Sequence, residues 1–190
     1  MLELNLARRA PALSPVASEA GVKVATLDAV GRLALRVKAA ALAGRASVDG
    51  FDLSGAINSR SASGESGGER AALRLGPDEW MLLVPADETD ERLEAVTAAL
   101  TGVAHSLVDV SHRDVTFSVE GRGADAVINA GCPIDVSPSA FPVGSATRTI
   151  FGKAEIVLAR RAADRFTVTC WRSFAPYVQG FLIEAAKDTL

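Results

Sequence analysis

The sequence predicts an α+β fold, antiparallel sheets with helices packed on one face. Three observations predict it. Apolar residues alternate with period two in several short runs. Those runs come mainly in pairs around tight turns, as antiparallel hairpins do. Between them, two stretches switch to helical spacing. The chain has 190 residues, 48% hydrophobic and only 5% aromatic. That suits one compact domain, or two small lobes sharing a core, filled by Ala, Val, Leu and Ile.

Residues 1 to 21 read as an N-terminal arm, punctuated by Pro11 and Pro15. Residues 22 to 190 read as a single α+β domain of two loosely similar halves, without a sequence repeat. In "VKVATLDAVGRLALRV", Val22, Val24 and Leu27 share one side, as do Leu33, Leu35 and Val37 beyond Gly31. This predicts a hairpin. The Ser/Gly-rich stretch at about 55–69 lacks apolar anchors. It cannot bury enough surface to offset its ordering entropy, so a flexible loop is expected. "AALRLGPDEWMLLVPA" gives two strands around a Pro77-Asp78 turn. "DETDERLEAVTAAL" has Leu93, Val96 and Leu100 at helical spacing and acids in its first turn. "SLVDVSHRDVTFSVEG" reads as strand, turn, strand. "GRGADAVINAG" is a short helix ended by Gly131, and "CPIDVSPSAFPVG" a loop. "ATRTIFGKAEIVLAR" is a hairpin about Gly152, and "DRFTVTCW" a strand. In "SFAPYVQGFLIEAAKD", Ser173 is the expected N-cap, with Phe174, Val178, Phe181, Leu182 and Ala185 as the buried stripe.

The bulk numbers disfavour several functions. Twenty Lys and Arg against 23 Asp and Glu give a net charge of -3 with no long basic run. A nucleic-acid binder would show a basic stripe, because phosphate contacts supply much of its affinity. Cys132 and Cys170 form no CxxC, and His105 and His112 have no cysteine near them. A structural metal site is therefore not expected. No apolar run is long enough to span a membrane, and the N-terminus lacks a signal-peptide core. A reduced cytoplasmic setting follows.

One stretch asks to be read as an active site. "VDVSHRDV" holds Ser111 and His112 between Asp109 and Asp114, the residue types of a nucleophile, a base and an orienting carboxylate. Adjacent side chains rarely point at one another, however, and no GxSxG elbow is present. Alternation puts Val108 and Val110 toward the core, Asp109 and Ser111 away from it. Ser and Asp favour turns, and Arg113 can pair with either Asp. Turn chemistry is the preferred reading. Cys132 follows a helix C-terminus, the wrong end for a thiolate, and reads as inert. Lys153 sits in a hairpin turn, as a solvated lysine does. Neither "SGESGGER" nor "GRGADA" has the spacing of a phosphate or dinucleotide loop. No catalytic, cofactor-binding or metal-binding residue is therefore assigned. "CWRSFAPY" stands apart, with three aromatics, Trp171, Phe174 and Tyr177, inside seven residues. Phe174 is assigned to the core. Trp171, Arg172 and Tyr177 are the candidate partner-binding residues, since Trp, Tyr and Arg dominate interface energetics.

Four phrases carry a resemblance. "RLGPDEWMLLVP", "SLVDVSHRDVTFSVEG", "AGCPIDVSPSAFPVGSATRTIFGKAEIVLAR" and "FTVTCWRSFAPYVQGFL" occur in order between about Leu73 and Leu182. Together they resemble the gamma subunit of heterotetrameric sarcosine oxidase. The resemblance implies a fold like the folate-binding domain of aminomethyltransferases. It implies a non-catalytic subunit, with alpha, beta and delta subunits as partners. The complex it resembles oxidises sarcosine to glycine and passes the methyl carbon to tetrahydrofolate. Its FAD, FMN, NAD, tetrahydrofolate and zinc are held by other subunits. The alternative is a free-standing aminomethyltransferase-like protein that binds folate itself, with Asp109 or Asp135 as the carboxylate beside the pterin.

Overall fold

The structure, a computed structural model, describes residues 21–42, 44–63 and 70–188. Most of the expected N-terminal arm and residues 64–69 of the Ser/Gly-rich stretch lie outside the described residues. Two compact units emerge, one of residues 30–112, the other of residues 21–29 with 113–188. Each is built on a five-stranded antiparallel sheet, as the α+β reading requires.

The chain enters the second unit first, through β1 (Lys23–Thr26), then leaves it to build the first unit. That unit holds β2 (Gly31–Val37), a small ribbon of β3 (Ser47–Val48) and β4 (Phe51–Asp52), then β5 (Ser59–Ser63), β6 (Arg70–Gly76), β7 (Glu79–Val84), helix α1 (Thr89–Ala99) and β8 (His105–Asp109). Its sheet order is β5-β6-β7-β2-β8. Leu33, Leu35, Trp80 and Leu82 share a core with Val96 and Leu100 at the helix. Ala71, Leu73 and Met81, on the opposite face of β6 and β7, are buried as well. This is why "WMLLV" is a continuous apolar run instead of an alternation. Gly31 opens β2 because nothing larger fits: a Cβ there would lie 2.1 Å from Thr89 Oγ1 and 2.4 Å from Val84 Cγ2.

Within the serine-rich stretch, residues 59–63 form a strand instead of a loop. Composition hides it, because it is held through its backbone and hydroxyls. Its ladder pairs with β6, Ser61 Oγ donates to the Asp52 carbonyl at 2.9 Å, and Arg74 Nη1 ties down the Gly55 carbonyl at 2.9 Å.

The second unit continues with β9 (Asp114–Glu120), α2 (Ala124–Asn129), β10 (Ala146–Phe151), β11 (Ala154–Ala162), β12 (Arg165–Trp171) and α3 (Ala175–Lys187). Its order is β1-β9-β12-β11-β10. Val24, Phe117, Ile156, Leu158, Phe166 and Val168 face Val127, Ile128, Val178 and Leu182 of the two helices. One core-facing position of β11 is not apolar. Arg160 follows Ile156 and Leu158 on that face, sits opposite Phe166 in the ladder, and is 3% exposed. Its guanidinium lies 4.9 Å from the Phe166 ring centroid. Its Nη1 donates to the Val136 and Phe141 carbonyls, both at 3.0 Å, and Nη2 donates to Ala163 O. The loop "CPIDVSPSAFPVG" is thereby fastened to the sheet.

Two expected hairpins do not form. Residues 22–38 are two strands of different sheets, β1 pairing with β9 and β2 with β7 and β8. The stretch 106–121 is likewise no strand pair, since β8 pairs with β2 and β9 with β12 and β1. Val22, Val24, Leu33, Leu35 and Val37 are buried as the alternation predicts, while Leu27, beyond β1, is half-buried; period two fixes a strand's faces, not its neighbours.

Candidate functional site

Ser111 and His112 sit where the chain leaves β8. Ser111 is 3% exposed, and its hydroxyl is fully engaged. It donates to Asp109 Oδ1 and accepts the Arg32 backbone N–H at 2.9 Å. Asp109 Oδ1 also accepts the Ser111 backbone N–H at 2.9 Å, an Asx-type turn. Val110 N–H reaches the Arg32 carbonyl at 2.9 Å. The serine thus closes the β2–β8 ladder at the point where a strand residue would have continued it. His112 is exposed, and Ser111 has no lone proton to give it. The expected facing is inverted here: Val108 is 51% exposed and Ser111 is buried. An edge strand, paired on one side only, can present a valine to solvent where a turn must bury its hydroxyl.

In the second unit, Arg113 chooses Asp114. Its Nε and Nη2 donate to the two carboxylate oxygens at 2.9 and 3.1 Å. Cys132 is buried, with Thr149 Oγ1 3.8 Å from its sulfur. Asp135 is exposed in its loop. The Ser137 backbone N–H, at 2.8 Å, holds its carboxyl below the usual carboxylate range, with help from the Ser137 hydroxyl. Among the described residues, no three His, Cys, Asp or Glu side chains converge as metal ligands.

A different surface draws attention. Trp171 ends β12, opposite Asp114 in the ladder. A 3₁₀ turn, Arg172–Phe174, follows, and α3 begins only at Ala175. Ser173 is therefore not the N-cap, and no side chain caps the helix. Pro176 instead fixes its first turn. Val178, Leu182 and Ala185 of the expected stripe are buried, joined by Ala175 and Ala186, and Phe181 packs partly buried against the same core. Phe174, expected in the core, is 38% exposed. It joins Trp171 (45%) and Tyr177 (41%) in a row of exposed rings three residues apart. Trp171 and Phe174 rings lie 6.3 Å apart, tilted by 39°. Tyr177 meets Phe181 edge-on at 6.2 Å, and Phe181 in turn packs on Phe151 at 4.6 Å. The Tyr177 hydroxyl accepts the Lys153 backbone N–H at 3.2 Å. Gly152 makes the approach possible, since a Cβ there would lie 2.3 Å from that oxygen. Arg172 donates its backbone N–H to the Arg113 carbonyl at 2.8 Å.

The family model described as sarcosine oxidase, gamma subunit, matches residues 37–188. The chain belongs to this gamma subunit family. It is 28% identical to the sarcosine oxidase subunit gamma of Corynebacterium sp. (strain U-96), over 99% of this chain and 94% of that one. The same subunit from Arthrobacter sp. is 29% identical over 62% of this chain and 57% of its own length. Among solved structures, the heterotetrameric sarcosine oxidase of Corynebacterium sp. U-96 contains a chain that superposes with a TM-score of 0.76 at 28% identity, covering 98% of this chain and 93% of that one. Aminomethyltransferase T of the glycine cleavage system from Bartonella henselae superposes at 0.65 with 14% identity, covering 98% of this chain and 52% of that one. The second likeness concerns the fold alone, and it agrees with the aminomethyltransferase-like architecture expected from the sequence. The free-standing folate-binding alternative is not favoured. Of its two candidate carboxylates, Asp109 is engaged in the turn at Ser111 and Asp135 stands in solvent.

A gamma subunit whose Ser111 is structural makes a simple prediction. Ser111→Ala leaves the buried Arg32 N–H without its acceptor, so it should destabilise the chain by about 1–3 kcal/mol. His112→Ala should change stability by less than about 0.5 kcal/mol. Urea unfolding of the two variants checks this, and a stable Ser111→Ala protein would return the hydroxyl to consideration as a reactive group.

Proposed function

We propose that this chain is the gamma subunit of a heterotetrameric sarcosine oxidase and serves its assembly, without an active site of its own. The observation that carries the reading is its near end-to-end match, in sequence and in fold, to a chain of that heterotetramer. In this reading the alpha, beta and delta subunits are its partners. The complex demethylates sarcosine to glycine in the cytoplasm, with tetrahydrofolate as one-carbon acceptor, and the FAD, FMN, NAD, folate and zinc reside on the other subunits. No described helix is long and apolar enough to cross a membrane. Trp171, Arg172 and Tyr177 belong to the partner-facing surface, as residues that bury large area while keeping a hydrogen-bonding tip.

The test is an affinity tag on this chain in its native host. Purification should yield three further subunits, flavin absorbance and sarcosine-dependent oxygen consumption. Purified alone, the chain should be colourless. Recovery of the tagged chain as a lone protein, or flavin bound to it in isolation, would defeat the proposal.

A further inference from the structure

The exposed aromatic row carries more than membership of an interface, because its shape and charges describe what meets it. Trp171, Phe174 and Tyr177 are 45%, 38% and 41% exposed, in a chain whose other large aromatics mostly fill the two cores. The Trp171 and Phe174 rings already hold each other, and Tyr177 is fixed by Phe181 and by the Lys153 N–H. Rings set in place before binding lose little freedom when a partner arrives. Lys153 stands beside Tyr177, its backbone N–H on the Tyr177 hydroxyl. At the other end of the row, Asp114, opposite Trp171 in the ladder, has 6% side-chain exposure and is held by Arg113. Lys153 is exposed and forms no ion pair among the described residues. The Tyr177 end of the ridge therefore offers the Lys153 cation to solvent, against a net charge of -3 for the chain as a whole.

We infer that the Trp171–Phe174–Tyr177 ridge docks an acidic segment of a partner subunit, which places an apolar side chain on the Trp171–Phe174 pair and a carboxylate toward Lys153. The inference rests on the assembly reading above and names the chemistry of the partner at this surface. Apolar contact with the two rings holds the complex together, while the cation at the end of the row steers its formation. Tyr177 acts partly through the hairpin it pins, so Trp171 and Phe174 are the informative positions.

The test uses the full-length tagged chain in its native host, with captured subunits identified by mass and by flavin absorbance. Trp171→Ala and Phe174→Ala should each lower the captured flavoprotein about tenfold or more. Lys153→Glu should slow association about tenfold at low ionic strength, the difference closing in high salt, while Lys153→Arg behaves as the parent. Melting of each free variant separates docking from folding. If Trp171→Ala unfolds the chain, Lys153→Glu still decides, because its side chain is exposed in a turn. Undiminished capture by folded Trp171→Ala and Phe174→Ala, or association of Lys153→Glu as fast as the parent or faster, overturns this inference alone. A parent chain that captures no flavoprotein overturns the assembly reading and this inference with it.

Discussion

Replacing Arg160 by Met should destabilise the second unit by about 3 kcal/mol, although Met fills much of the same space. The guanidinium lies at a core-facing position of β11, 3% exposed, stacked on Phe166. Its donors satisfy the carbonyls of Val136 and Phe141, each at 3.0 Å, and that of Ala163. A thioether offers none of these donors. Each buried acceptor left unmet costs about 1–3 kcal/mol, with carbonyls toward the low end. For a chain of this size, a loss of about 3 kcal/mol lowers the melting midpoint by roughly 6–12 °C. Arg160→Lys should fall between, since one ammonium cannot reproduce the planar fork that meets separate carbonyls at once. Limited proteolysis should place the first new cut in residues 132–145, which the arginine fastens. A variant that melts with the parent and resists proteolysis would show that the loop is held by other contacts.

Trp80→Ala should be as damaging in the first unit, at about 3–5 kcal/mol, whereas Trp80→Phe should cost under about 1.5 kcal/mol. Trp80 is 1% exposed and is the largest fully buried side chain. It shares a core with Leu35, Leu82, Val96 and Leu100, and Arg74 lies 5.0 Å from its ring centroid. Truncation to Ala would leave a cavity that sheet and helix cannot collapse around. The indole N–H, however, has no acceptor among the described residues. Exchange for Phe therefore removes area without orphaning an acceptor, and the Arg74 contact to an aromatic face survives. Urea unfolding followed by far-UV circular dichroism measures both. If Trp80→Phe proved as costly as Trp80→Ala, the nitrogen would have to be hydrogen-bonded and the argument would fail.

These two residues also mark where the sequence could and could not be read. Trp80 announces itself within "WMLLV", because apolar runs report burial directly. Most strands, both long helices and the α+β class follow from the same signal. Arg160 does not announce itself. An arginine after "AEIVLA" reads as the end of a core-facing run, and only the carbonyls of a loop some twenty residues away reveal it as part of the core. Strand partners were equally hidden. Val22 and Val24 alternate as a hairpin strand would, yet β1 finds β9 across the whole first unit. At the candidate surface, Trp171 and Tyr177 were legible as rare aromatics, but Phe174 was not. Its exposure depends on α3 starting at Ala175, and helix boundaries are the least legible feature of a sequence.

The placement of β1 has a consequence for the order in which the molecule is made. Lys23–Thr26 leaves the ribosome before any of the first unit, but its neighbour β9 is complete only at Glu120. At ~5–20 residues per second, the wait is on the order of ten seconds. During it, residues 30–112 emerge and assemble their own sheet, which gains its last strand, β8, at Asp109, just before β9 follows. Val22 and Val24, both fully buried at the end, meanwhile have no sheet to join. The nascent chain thus carries an unpaired apolar strand until β9 arrives, a natural handle for a chaperone and a liability when translation is slow.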